Sequence, residues 1–164
     1  SFQPLWAYYD SYMRDLTEPR LGPVRSAYQY PIASMVKSGA MVAGGSDWSV
    51  SSMNPLDAIQ VAITHRALED STGAAWLPRE RVDLATALRM YTLGGAVAGD
   101  DEANTGSLAV GKAADLVVLS DDVFALPPHR IATARVLLTV MGGTVTYRDS
   151  AMIAPTGGPR PGGS

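Results

Sequence analysis

The chain has no cysteine among its 164 residues. Disulfides and thiolate metal ligands are therefore excluded, while the cellular compartment stays open. Histidine and lysine are nearly as scarce: the sequence holds only His65 and His129, Lys37 and Lys112. A metal centre built from several closely spaced histidines cannot come from these residues alone. Basic charge is short as well, with 13 Lys and Arg against 16 Asp and Glu and a net charge of −3. That balance does not make the cationic surface that nucleic acid or anionic lipid requires. No apolar run approaches about 18 residues, so no membrane-spanning helix is expected, and no secretory leader is visible. Two common catalytic signatures are missing too. Gly44-Gly45-Ser46-Asp47-Trp48 lacks the final glycine of a nucleophile elbow. Gly94-Gly95 and Gly142-Gly143 lack the spacing and the lysine of a phosphate loop.

What is present suits a folded domain. Hydrophobic residues make up 46% and charged residues 18%, a globular composition, and the length allows a proper core. The chain opens Ser1-Phe2-Gln3-Pro4-Leu5 with no methionine. It reads as though it starts inside a domain, so a piece of a longer polypeptide is the expectation, in a cytoplasmic setting.

Along the chain, aromatics crowd residues 1–30, where Pro4, Pro19, Gly22 and Pro23 interrupt any long element. Pro31 can open a short helix through Lys37 that Gly39 ends. Residues 40–45 are too short and too Gly-rich for a helix and read as a buried strand. Asn54-Pro55 starts a helix predicted to run to about Glu69, with Leu56, Ile59, Ile63 and Ala67 on one face. Asp83 caps a second helix over 84–92, with Leu84, Leu88 and Tyr91 on its face; Gly94-Gly95 breaks it, and residues 96–98 add a turn. Residues 116–119 and 135–141 read as strands. Gly142-Gly143 before Thr144-Val145-Thr146-Tyr147 signals a hairpin, because both central positions can take positive φ. Residues 155–164, rich in Pro and Gly, read as a disordered tail.

The residue with most chemical content is Asp47. It ends the run Gly39-Ala40-Met41-Val42-Ala43-Gly44-Gly45-Ser46 and precedes Trp48. A carboxylate where a buried strand empties into a pocket can hold a metal or accept a proton. An aspartate there can equally hydrogen-bond its own turn. The residues alone leave both readings open. His65, inside the expected helix, reads as a solvated or structural imidazole. Asn54 reads as a cap, and Asp115 as a residue that bonds within a turn.

Several segments, in order, resemble one family. Ser46-Asp47-Trp48-Ser49-Val50 resembles the "GSD-aromatic-P-V" signature of the YtcJ-like branch of the amidohydrolase superfamily. Ser1-Phe2-Gln3-Pro4 resembles its "S-x-Q-P" strand end. Gly22-Pro23-Val24-Arg25 with Tyr30-Pro31-Ile32 resembles its "lG-x-x-R…Y-P" approach. Asn54-Pro55-Leu56 and Ala62-Ile63-Thr64-His65-Arg66 resemble its "P-L…A-v-T-R" helix, with an extra histidine here. Met90-Tyr91-Thr92 resembles its "A-Y-T" helix. Gly106-Ser107-Leu108-Ala109-Val110-Gly111-Lys112-Ala113-Ala114-Asp115-Leu116 resembles the "GSL-x-x-GK-x-ADL" motif of many amidohydrolases.

The resemblance implies an α/β fold made of the last units of a (β/α)8 barrel, residues 1–104, followed by C-terminal strands of a β-sandwich lobe, residues 105–150, and a tail, residues 151–164. A whole barrel needs about 250 residues, so the barrel is incomplete here and its N-terminal segment is an implied partner. The implied activity is metal-dependent hydrolysis of a non-peptide, amide-type C–N bond in a small molecule, with a divalent metal, zinc by expectation. Asp47 matches the family's metal-binding, proton-shuttling aspartate, and Trp48 and Trp6 are the candidate substrate contacts. Trp6 stands where relatives often carry histidine. The alternative is a non-catalytic remnant or an oligomerising module, a homo-oligomer included, with no complete metal site.

Overall fold

The structure, a computed structural model, describes residues 1–152. Its hub is helix α3 (Pro55–Thr64). Asn54 starts it: its side-chain oxygen accepts from the Leu56 amide at 3.1 Å, and Pro55 fills the first turn, where no amide is needed. Leu56, Ala58, Ile59, Gln60, Val61, Ala62 and Thr64 are all buried. The helix is enclosed on nearly every side rather than along one stripe, which marks an interior element.

Before α3 come a 3-10 turn (Pro4–Trp6), a π-helical turn (Met13–Thr17), α1 (Glu18–Ser26) and α2 (Ile32–Lys37). Helix α1 is two pieces joined at Gly22, whose φ of 72° only glycine adopts freely, just before Pro23. After α3 come a 3-10 turn (Pro78–Glu80), α4 (Leu84–Tyr91) and α5 (Leu93–Ala98). Asp83 caps α4 as expected, accepting from the Thr86 amide at 2.7 Å. The rest is a three-stranded antiparallel sheet, β1 (Leu116–Leu119), β2 (Val136–Met141) and β3 (Thr144–Arg148), in the order β1-β2-β3. A 3-10 turn (Pro128–Thr133) separates β1 from β2. The hairpin forms at Gly142-Gly143, both at positive φ, with Met141 paired to Thr144.

Two apolar cores flank α3. One gathers Leu5, Ala7, Ile32, Val42, Ala58, Val61 and Met90. The other joins Leu56, Ile59, Ala62 and Ala87 to Val123, Ile131 and Ala134, so residues from before and after position 104 share it. Gln60 ties the same parts by hydrogen bonds. Its amide donates to the Leu68 carbonyl at 2.9 Å, and its oxygen accepts from the Ala132 amide at 2.9 Å.

Several expectations need correction. Helix α3 stops at Thr64, not near Glu69, because His65 takes a left-handed conformation (φ 49°); Ala67 therefore lies outside the helix. Of the two readings of His65, solvated or structural, its complete burial overturns the first and agrees with the second. The buried face of α4 is Ala87 and Met90, with Leu84, Leu88 and Tyr91 half-buried beside them. The break after α4 sits at Thr92, and both glycines lie inside α5. Residues 40–45 are extended, with Val42 and Ala43 buried, but they pair only through one isolated bridge. Strand β1 is half covered: Leu116 and Leu119 are partly buried, Val117 and Val118 exposed. Residues 155–164, read as a disordered tail, lie outside the described residues.

Candidate active site

The site begins with two extended segments lying side by side. Phe2 and Gly44 form a parallel bridge. The Phe2 amide donates to the Ala43 carbonyl at 2.8 Å, and the Gly45 amide donates to the Phe2 carbonyl at 2.7 Å. Because the bridge is parallel, both segments leave it at the same end. One continues into the turn that holds Trp6, the other into Ser46 and Asp47.

The far side of residues 44–45 rests on helix α4. The Gly44 amide donates to the Met90 carbonyl at 2.9 Å, and the Tyr91 hydroxyl donates to the Gly45 carbonyl at 3.2 Å. The Tyr91 ring packs closely against Gly44; a Cβ at position 44 would lie 2.4 Å from it. Glycine at 44 is thus a packing requirement. Burial pushes the Tyr91 phenol well above its ordinary range, so it stays a neutral donor.

Beyond Gly45 the chain turns. The Trp48 amide donates to the Ser46 hydroxyl at 3.2 Å, the Val50 amide donates to the Asp47 carbonyl at 2.8 Å, and the Ser51 hydroxyl donates to the Ser46 carbonyl. Asp47 has φ 51°, a left-handed conformation that aspartate tolerates better than most residues. Its side chain is exposed, and among the described residues its carboxylate accepts no hydrogen bond. The turn is closed by Ser46 and the backbone. The extended segment before the turn is held on both sides, while the Asp47 side chain is exposed.

Of the other candidates, Trp48 is 66% exposed, whereas Trp6 is half-buried and packs against the first core. No hydrogen bond or ring contact joins Asp47, Trp48 and Trp6 among the described residues. Asp47 lines neither of two clefts: one of about 400 Å³ over α1, and one of about 940 Å³ between α4 and residues 106–117. Nor do the described residues contain any group of three or more His, Asp or Glu that could hold a metal. A single carboxylate does not make a metal site, so the residues present do not fit a metal on their own.

Asp115 and Lys112 of the second motif make hydrogen bonds that hold the fold. Asp115 accepts from the Gly142 amide at 2.6 Å, fastening the motif to the hairpin turn. Lys112 donates to the Glu102 carbonyl and, at 3.0 Å, to that of Thr105. Sequence reasoning missed the clamp of Tyr91 on Gly44 and the partner of the buried Glu80, which accepts from the Ser34 amide at 2.9 Å and the Ser34 hydroxyl at 2.8 Å. Neither leaves a mark in sequence beyond residue type, since the partners are far apart in the chain, 46 positions for Tyr91 with Gly45 and for Ser34 with Glu80.

Comparison with known proteins agrees with the motifs. The sequence profile of the amidohydrolase family matches residues 1–147. The putative amidohydrolase YtcJ of Bacillus subtilis (strain 168) is 30% identical over 131 residues, 80% of this chain and 25% of that protein. Protein LONG AFTER FAR-RED 3 of Arabidopsis thaliana is 34% identical over 137 residues, 81% of this chain and 22% of that protein. The N-substituted formamide deformylase of Arthrobacter pascens is 32% identical over 118 residues, 72% of this chain and 21% of that protein. The chain thus spans a quarter or less of the length of these curated relatives. A crystal structure of an amidohydrolase from Thermotoga maritima superposes with a TM-score of 0.52 at 24% identity, over 73% of this chain and 26% of that one, which supports a shared fold. With the Gly44-Gly45-Ser46-Asp47 strand end and the Gly106-Ser107-Leu108 motif both inside the matched region, the chain belongs to the amidohydrolase family.

Proposed function

We propose that the chain is the C-terminal part of a cytoplasmic amidohydrolase that cleaves a non-peptide, amide-type C–N bond, and that Asp47 is its proton-transferring carboxylate. The observation that carries the reading is the parallel bridge of Phe2 with Gly44, which directs Asp47 and the Trp6 turn to the same end of two neighbouring segments. In barrels of parallel strands, that end is where catalytic residues gather. On this reading residues 1–104 are the last barrel units and β1 to β3 belong to the accompanying lobe. Exposure of Asp47 is what a barrel edge with one neighbouring segment would produce. The remaining walls, and the ligands for a divalent metal such as zinc, would come from polypeptide beyond these 164 residues.

The chemistry asked of Asp47 is balanced. Water adds its oxygen to the carbonyl carbon, its proton passes to an Asp47 carboxylate oxygen, and that oxygen hands the proton to the departing nitrogen. The C–N bond breaks, releasing a carboxylic acid and an amine, and the acid then gives its proton to the amine or to solvent. Trp48, projecting beside the acid, and Trp6 would border the substrate.

The test is Asp47→Asn in the longer protein that contains this chain, assayed on N-substituted amides. General acid–base loss predicts kcat lower by about 10²- to 10⁴-fold with the fold intact by circular dichroism. Turnover equal to wild type removes Asp47 from the mechanism. A second reading, a non-catalytic or oligomerising module, is favoured by the lack of a metal-holding group among the described residues. Elemental analysis with solution mass separates the two. Stoichiometric metal supports the hydrolase, and a metal-free, well-defined oligomer supports the module.

A further inference from the structure

His65 stands where the family pattern runs directly from threonine to arginine, and it is fully buried. It ends α3 in a left-handed conformation, its amide donating to the Val61 carbonyl at 2.7 Å. Two further bonds tie it to one residue of the following loop. The Trp76 amide donates to the His65 carbonyl at 2.9 Å, and the Trp76 carbonyl lies 2.9 Å from the imidazole Nδ1. A carbonyl can only accept, so Nδ1 carries the proton and Nε2 is the bare acceptor. Nε2 is buried and has no partner among the described residues.

We propose that His65 is an acid-sensitive latch: its neutral imidazole holds residues 66–79 against α3, and protonation at Nε2 releases that loop. A proton on Nε2 would place a charge inside a site with no solvent exposure, and opening the loop to water is what hydrates that charge. The charges facing the ring do not cancel this. Burial is the largest influence and holds the imidazole below its ordinary value, against the backbone hydrogen bonds of Trp76 and Glu80 and the Glu80 charge, which favour the proton; the Arg81 charge opposes it. The Glu80 carboxylate is itself engaged, with both oxygens bonded to Ser34 and Arg79 at 3.7 Å from one of them. The neighbouring Arg66 is bonded to the Ser71 carbonyl at 3.1 Å.

Because the closed state binds the proton less readily than the open state, closure is full above the ordinary imidazole value and weakens as pH falls through it. Trp76 would carry the change onward. Its ring meets Tyr30 at 5.9 Å and Tyr9 at 6.0 Å, and Tyr30 meets Phe2 at 6.3 Å.

Amide hydrogen exchange of the full chain, corrected for intrinsic rates, tests this directly. Between about pH 7.5 and about pH 5.5, linkage predicts that the opening constant of residues 66–79 rises, with about tenfold as the upper limit set by the free imidazole. In His65→Asn, which keeps an amide donor near Nδ1 and tolerates the left-handed backbone, the rise should vanish. Equal protection of wild type at both pH values overturns the latch, as does a rise that persists in the variant. Should the variant fail to fold, ¹H NMR titration of the two wild-type imidazoles decides. The latch predicts that His65 titrates at lower pH than the free side chain while the loop is closed, and an ordinary titration of His65 with the loop closed ends the proposal.

Discussion

Gly94 and Gly95 are adjacent in α5 but meet opposite surroundings. A Cβ on Gly94 would lie 2.4 Å from the Val42 carbonyl oxygen, which is backbone and cannot swing aside. A Cβ on Gly95 would meet nothing within 4 Å. Gly94→Ala should therefore destabilise the chain by roughly 1–3 kcal/mol, the cost of forcing atoms into a packed interior. Gly95→Ala should stabilise it by roughly 0.4–1 kcal/mol, since alanine loses less backbone entropy in a helix. Urea unfolding of the two variants measures both, and equal effects would contradict the close approach of α5 to residues 42–43. The same contrast marks how far single residues could be read. The sequence shows two glycines, and its plainest meaning is a helix break. Which of them presses against the extended backbone at Val42 is set by a contact 52 positions away in the chain, so no local pattern records it.

Among the elements, α3 shows what was legible and what was not. Its start was readable because Asn54-Pro55 is local chemistry, a cap and a first-turn proline. Its end was not, since Thr64-His65-Arg66 has no glycine and the left-handed turn at His65 is held by Trp76 from across a loop. The hairpin at Gly142-Gly143 was readable for the same reason as the cap, whereas the burial of β1 depends on what covers it. Asp47 was found by motif, and its exposure by geometry alone. Gln60 was passed over, although a polar residue inside Ile59-Gln60-Val61-Ala62-Ile63 is an anomaly with a physical meaning. A buried amide must be bonded at both ends, and this one is, to Leu68 and Ala132. Gln60→Leu keeps the volume and leaves a donor and an acceptor unpaired. It should cost roughly 1–3 kcal/mol for each group left unsatisfied, and hydrogen exchange should rise at residues 66–70 and 130–134 together. A rise at one segment alone would mean that the side chain does not bridge them.

For the whole molecule, the question is whether the helical part and the sheet-bearing part fold independently. The second core decides it, because Leu56, Ile59 and Ala87 pack with Val123, Ile131 and Ala134. Tyr91 and Val82 touch both cores, so the first is joined to the second through shared side chains. A boundary crossed by a common core is not expected to separate on unfolding, since exposing either half strips the apolar cover from the other. All three tryptophans, Trp6, Trp48 and Trp76, lie before residue 104, and they therefore report on the helical part alone. Ile131, 1% exposed, lies in the other part. Truncating it to alanine removes buried methylenes and should cost roughly 2–5 kcal/mol. If the parts are one cooperative unit, tryptophan emission in Ile131→Ala should shift to lower urea by the same amount as circular dichroism. A tryptophan transition that stays at its wild-type midpoint while the circular dichroism signal splits in two would show that the parts unfold separately and that the shared core contributes little to holding them together.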